Sequence, residues 1–235
     1  MALNKPVHEN MMLQILKDIY SDTSISPFLG FKGGTAAYIF YNLPRFSVDI
    51  DFDLLDKTKE EYVFSRVKQI VKKHGKIKEA KIKRFNIFFL LSYEEKAQNI
   101  KVEINRRAFG SRYLLKTYLG ISMLVMKEED MFAHKLMAMH ERVGRSNRDF
   151  YDSWFFLKNN WPINRKMVED RAGTTFKKFL EKCISSLEKL EDYNILAGIG
   201  ELLDERTKIW AKKNLIKDLL FLLKLKLENE KKSKT

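Results

Sequence analysis

Ser47-Val48-Asp49-Ile50-Asp51-Phe52-Asp53-Leu54 carries the clearest strand pattern in the chain. Val48, Ile50, Phe52 and Leu54 alternate with Asp49, Asp51 and Asp53, and strict alternation is the mark of a strand with one face buried and one face open. Residues two apart on a strand lie roughly 6–7 Å apart on the same side. Three carboxylates in such a row repel one another and raise each other's affinity for protons. A chain accommodates them by facing them to open water or by giving them a cation. Carboxylate oxygens are hard ligands of the kind that hold Mg²⁺ beside substrate phosphates. Exposed strand acids with no further role are the plainer alternative.

Upstream, Phe28–Phe31 reads as a short strand running into Lys32-Gly33-Gly34-Thr35, and an apolar helix, Ala36–Tyr41, follows until Asn42 and Pro44 stop it. Glycines between a strand and a helix let backbone N–H groups approach an anion, and the helix N-terminus favours negative charge. Thr35 adds a hydroxyl suited to a phosphate. An ordinary strand-to-helix turn with Thr35 as N-cap explains the same residues. The glycines form neither a dinucleotide fingerprint nor a Walker A loop. Further out, an amphipathic helix is expected over residues 8–20 and another over 58–74. Lys76–Arg84, Ile87–Tyr93 and Asn99–Asn105 read as strands. In the last of these, Val102 and Ile104 alternate with Glu103. If that strand neighbours Asp49 and Asp51, Glu103 completes a three-carboxylate cluster able to hold two metals, a site suited to in-line attack at phosphorus. An ion pair of Glu103 with Arg106 or Arg107 is the structural alternative.

From Ile121 onward strand signals fade and helical periodicity runs almost to the end, with breaks at Gly144, near Pro162 and around Gly198 and Gly200. The expected organisation is therefore α+β: a mixed sheet flanked by helices over residues 1–115, then a helical domain over 116–235. In that second part Lys135, Ala138 and Arg142 share one helical stripe, leaving room for a phosphate or base between two cations. Asp149 and Asp152, three apart, share a face of the next helix. Ser146 and Asp149 have the spacing of a capping box, and Arg148 could pair with Asp152. His134 and His140 are six apart and do not form a zinc-protease face. Cys183, the single cysteine, is expected to pack rather than react.

Of 235 residues, 45% are apolar, enough for a proper core and too many for a disordered chain. One cysteine excludes a disulfide scaffold and fits a reducing cytoplasm. No apolar run approaches the roughly 20 residues a bilayer needs, and the N-terminal residues lack the apolar core of a signal peptide. Lys and Arg number 44 against 31 Asp and Glu, a net charge of +13. Residues 72–84 and 207–235 each carry a net charge of +6 and hold nearly all the excess. Clustered positive charge is the footprint of a polyanion such as nucleic acid, although Lys also guards exposed strands and solvates tails.

Taken together, Gly33-Gly34-Thr35, Arg45-Phe46-Ser47-Val48-Asp49-Ile50-Asp51-Phe52, Glu103-Ile104, Lys135-Leu136-Met137-Ala138-Met139-His140-Glu141-Arg142 and Arg148-Asp149-Phe150-Tyr151-Asp152 resemble, in order, the motifs of the AbiEii/AbiGii-type nucleotidyltransferase toxins, which include the MenT toxins. The resemblance spans residues 33–152 and implies a nucleotidyltransferase fold followed by a helical domain that completes the active site. It implies Mg²⁺ at Asp49, Asp51 and Glu103. Nucleotide phosphates would lie at Gly33, Gly34, Thr35, Lys135 and Arg142, with Asp149 or Asp152 shaping the site. The implied reaction moves a nucleoside monophosphate from an NTP to an acceptor hydroxyl on RNA, notably a tRNA end, and a cognate antitoxin is expected. A protein side chain or small molecule as acceptor, and a non-catalytic nucleic-acid-binding protein, are the rival readings.

Overall fold

The computed structural model describes residues 3–94, 98–190 and 194–232. The chain divides into two compact units, Met1–Lys127 and Glu128–Thr235.

The first unit is built on a seven-stranded mixed sheet. Its elements in chain order are α1 (Lys5–Ser21), β1 (Leu29–Lys32), α2 (Gly33–Tyr41), β2 (Asp49–Leu54), α3 (Glu60–Lys73), β3 (Lys76–Ile82), β4 (Asn86–Ser92), β5 (Ile100–Asn105), β6 (Tyr113–Tyr118) and β7 (Ile121–Met126). The strand order is β3-β4-β5-β2-β1-β7-β6, with β2 parallel to β5 and β1 parallel to β7. The alternating acidic stretch forms β2, a central strand of this sheet. Ile50 and Phe52 are fully buried, and beside them lie Phe31, Phe89, Val102 and Ile104 from the neighbouring strands. The amphipathic faces of α1 and α3 cover this side through Met12, Ile15, Leu16 and Ile19 and through Val63, Val67 and Val71. The Phe64 ring stacks on Phe89 with centroids 5.4 Å apart. Helix α2 stops where the sequence indicates, at Asn42 in the left-handed conformation with φ 55°.

The sheet continues further than the sequence suggests. A boundary near residue 115 falls inside β6, and Ile121–Met126, which reads in sequence as the start of the helical part, is β7. The two strands form a hairpin through Leu119 and Gly120, both with positive φ (47° and 76°). That is the geometry of a two-residue hairpin turn, which Asn-Gly or Asp-Gly usually announces. Leu at the first position hides it. Met123-Leu124-Val125-Met126 is then a continuous apolar run, which periodicity alone cannot assign to a strand or to a buried helix.

The second unit is helical among its described residues: α4 (Glu128–Glu141), α5 (Asn147–Lys158), α6 (Arg165–Ala172), α7 (Phe176–Glu188) and α8 (Glu205–Lys232). Phe132, Phe156 and Trp161 form an aromatic centre, the last two stacked at 4.2 Å. Leu180, Cys183 and Leu187 of α7 and Leu215, Leu219 and Leu223 of α8 complete the core. Burial pushes the Cys183 thiol up to about 12, which leaves it inert and consistent with packing. Among the described residues no helix is long and apolar enough to cross a membrane.

Candidate active site

The sheet register decides what each acid of β2 meets. Cα partners across the strands are Lys32–Asp51–Glu103–Phe88 in one row. The row above is Asp49–Lys101–Leu90, and the row below is Gly30–Asp53–Asn105–Asn86. Residues paired in register point to the same side of a sheet. The structure thus brings Asp49, Asp51 and Glu103 together on the polar face opposite the core, as expected if β5 neighbours β2.

Their environments differ. Asp51 is pushed up from 3.8 to about 6, by burial first and by the charges of Asp49 and Glu103 next, against the pull of Lys32 and Lys101. Lys101, a residue outside every motif named above, places its Nζ 3.3 Å from both Asp49 Oδ2 and Glu103 Oε1. Burial would lower this ammonium, but Asp49 and Glu103 outweigh it and hold its pKa above the ordinary value. Glu103 Oε2 also accepts from Asn86 Nδ2 at 3.0 Å. In this arrangement no three His, Cys, Asp or Glu side chains among the described residues converge as a ready ligand set. The donor chemistry nonetheless fits a hard cation. Three carboxylates share one face, and burial together with the charges of Asp49 and Glu103 raises the proton affinity of the middle one, a strain that a bound cation would relieve.

Asp53 belongs to a different structure. It is buried, and its oxygens accept from Asn105 Nδ2 (2.6 Å) and Tyr113 OH (2.5 Å) and pair with Lys32 Nζ at 2.5 Å. It neither faces solvent nor joins the other acids. It ties β2 to β1, β5 and β6.

The glycine turn abuts the acids. Gly33 has φ +79°, and a Cβ on it would fall 2.3 Å from Asp51 Oδ2, so only glycine fits. A Cβ on Gly34 would meet Arg45 Nη2 at 2.7 Å and Ser47 Oγ at 2.9 Å. The N-terminus of α2, with no side-chain cap, is therefore set directly beside Asp51. Thr35 departs from expectation. It is buried, and its hydroxyl donates to the Asp49 carbonyl, which fixes the backbone of β2 instead of offering the proton to a phosphate. His8 is another residue that no sequence motif singles out. It is wholly buried, with Nε2 3.0 Å from the Val48 carbonyl and Nδ1 3.1 Å from Tyr93 OH. A carbonyl only accepts, so Nε2 carries the proton and Nδ1 accepts from Tyr93. Burial lowers the His8 pKa, and the neutral ring anchors α1 to the residue preceding Asp49.

The remaining sequence-predicted residues gather in the second unit. Lys135 Nζ lies 2.7 Å from Asp152 Oδ2 and 3.6 Å from Asp149 Oδ1, and Arg142 Nη2 lies 2.9 Å from Asp149 Oδ2. Asp149 and Asp152 are buried. The capping-box reading of Ser146 fails, because its side chain makes no cap bond and Asp149 turns to the two cations.

Comparison with known proteins bears on the fold and the family. A Helicobacter pylori protein described as a nucleotidyltransferase superposes with a TM-score of 0.58, at 22% identity over 97% of this chain and 98% of its own. JHP933 from Helicobacter pylori superposes at 0.57, with 23% identity over 99% and 97%. At that identity the likeness establishes the fold. No curated protein sequence matches. A family model does, over residues 14–221. The family match, on a fold that superposes on a nucleotidyltransferase, makes this chain a nucleotidyltransferase. The chain belongs to the AbiEii nucleotidyl transferase toxin family of type IV toxin–antitoxin systems, a membership that implies a cognate antitoxin.

Proposed function

We infer that the protein transfers a nucleoside monophosphate from an NTP to a hydroxyl on RNA, the 3′ end of tRNA being the first candidate, and that this modification is its toxic act in the cytoplasm. The acceptor oxygen attacks the α-phosphorus, the bond to the bridging oxygen breaks, and pyrophosphate leaves. The observation that carries the reading is the contact between the glycine turn and the acids: the uncapped N-terminus of α2 begins at Gly33, against Asp51. An anion seated on that helix end would place phosphoryl oxygens beside Asp49, Asp51 and Glu103. Those three would hold Mg²⁺, which when bound supplies positive charge against the developing charge of the phosphoryl group.

The chain's own residues have separable tasks. The Gly33 and Gly34 amides orient phosphate, while Thr35 and His8 keep Asp49 in place from behind. Lys101 balances Asp49 and Glu103 while no substrate is present. In the second unit Lys135 and Arg142 would take nucleotide phosphates, with Asp149 and Asp152 holding both cations in position until then.

The test is incubation with each α-labelled NTP, Mg²⁺ and total tRNA. Covalent label is expected on RNA, to be lost in Asp49→Ala and Asp51→Ala by on the order of a thousandfold or more, since several kcal/mol of barrier depend on those acids. Label on protein or a small molecule would overturn the acceptor. No label with any acceptor would leave a nucleic-acid-binding role.

A further inference from the structure

The carboxylate face of the sheet does not end at Glu103. The next residue across is Phe88 on β4, and beyond it Lys81 on β3. Lys83 places its Nζ 3.5 Å from the centre of the Phe88 ring, so it lies on the same face. Where β3 turns into β4, Phe85 stands 48% exposed, a large apolar ring left in water. Two guanidinium groups flank that ring, Arg84 at 4.9 Å and Arg107 at 5.1 Å from its centre.

This corner is held in place from below. Arg106 pairs with Glu60 of α3 and donates to the carbonyls of Lys83 (2.6 Å) and Arg84 (3.2 Å), while its amide donates to the Phe85 carbonyl at 2.9 Å. Arg107 donates from Nε to Asn105 Oδ1 at 3.1 Å, and Asn105 in turn holds Asp53. An exposed aromatic ring on a rigid turn, framed by cations, loses little conformational freedom when something stacks on it.

We propose that Phe88, Phe85, Lys81, Lys83, Arg84 and Arg107 form a track that carries a single-stranded polynucleotide across β4 and β3 and delivers its terminal hydroxyl to the Asp51–Glu103 row. This rests on the reading that the acceptor is a nucleic acid. The chemistry is specific to that occupant. The exposed Phe85 ring accepts a base of any sequence, while Lys83 over Phe88 and the cations around Phe85 accept phosphates. Glu79 is the acid on the strip, and it lies between Lys81 (3.6 Å) and Lys83 (3.2 Å), which leaves a net positive surface. From Asp51 to Lys81 is three strand spacings, about 14 Å, the reach of a few nucleotides.

The test is fluorescence anisotropy with a labelled 12-nucleotide single-stranded RNA, the matching DNA and an RNA duplex, over a series of salt concentrations. The full chain would be compared with Phe85→Leu, Phe85→Trp and the double variant Lys81→Gln/Arg84→Gln, each first confirmed to melt like the wild type. Phe85→Leu should weaken single-strand binding by roughly 5- to 150-fold with the salt slope unchanged, because the interaction removed is stacking. Phe85→Trp should restore it. The double variant should flatten the log–log salt slope by about 0.7 for each phosphate that is no longer neutralised. Comparable affinity for DNA supports a track read through stacking and charge. Wild-type affinity in Phe85→Leu, or equal affinity for the duplex, whose bases cannot stack on Phe85, would overturn the track. Parallel label transfer separates the two ideas. Transfer to RNA that ignores Phe85 sinks the track alone. Phe85-dependent RNA binding without transfer sinks the acceptor reading, and with it the delivery step, and leaves the binding track standing.

Discussion

Replacing Asp51 by Asn should make the metal-free protein more stable at neutral pH, the reverse of what most substitutions at buried positions do. The magnitude follows from the site. Asp51 titrates near 3.8 in the unfolded chain and about 6 in the folded one. A folded state that holds a proton more tightly than the unfolded state is favoured at low pH. The contribution is therefore fully present below about 4 and is lost as pH rises through 6. About two pKa units at 1.36 kcal/mol each make ionised Asp51 a burden of about 3 kcal/mol. The amide keeps the shape without the charge and should recover most of that at pH 7.5, a rise in melting temperature on the order of 5–10 °C. The assay is thermal and urea unfolding of both proteins in chelator from pH 4 to 8. The advantage of Asp51→Asn should shrink to nothing near pH 4. Added Mg²⁺ should raise the wild type and leave the variant unmoved. An Asn variant less stable than wild type at pH 7.5, or a gap that does not close toward acid, would refute the claim that Asp49, Glu103 and burial crowd this carboxylate.

Neighbouring residues carry further expectations. Gly33→Ala should abolish transfer and lower stability by at least about 1–2 kcal/mol, since its φ of +79° disfavours a side chain and the Cβ would displace Asp51; circular dichroism melts and the label assay check this. His8 is depressed by burial, so its own contribution to stability should be full above about 6.5 and be lost as pH drops, opposite in sign to that of Asp51, and His8→Gln should remove that part of the slope in unfolding measured between pH 7 and 5. Lys135→Met should cost about 3 kcal/mol in urea unfolding, because it takes the ammonium from the fully buried Asp152, and should raise the KM for NTP. Ser146→Ala should change stability by less than about 0.5 kcal/mol, since the side chain caps nothing, whereas removal of a working cap costs about 1.

Much of the first unit was legible in the sequence because its signals are local. Alternation over Val48–Leu54 is enough to set three acids on one side of a strand, whatever the strand pairs with. Gly33-Gly34 before an apolar helix is likewise a statement about adjacent residues, and so is the left-handed stop at Asn42. The β6–β7 hairpin was not legible, because its turn carries Leu119 where the local code expects Asn or Asp.

What each acid does was decided by tertiary structure. Asp49, Asp51 and Asp53 are equivalent to any reading of period two. They separate only because strands distant in sequence supply different partners. Tyr113, Asn105 and Lys32 saturate Asp53 and make it an anchor, while Glu103 adds like charge to Asp51 and Lys101 bridges Asp49 to Glu103. Thr35 turned inward to Asp49, and Asp149 turned from its expected cap to Lys135 and Arg142, for the same reason. The chain's own periodicity selects the face on which a side chain stands. Which charges and donors it meets there is set by strand order and register, and Coulomb and hydrogen-bond energies change most over those last few ångströms.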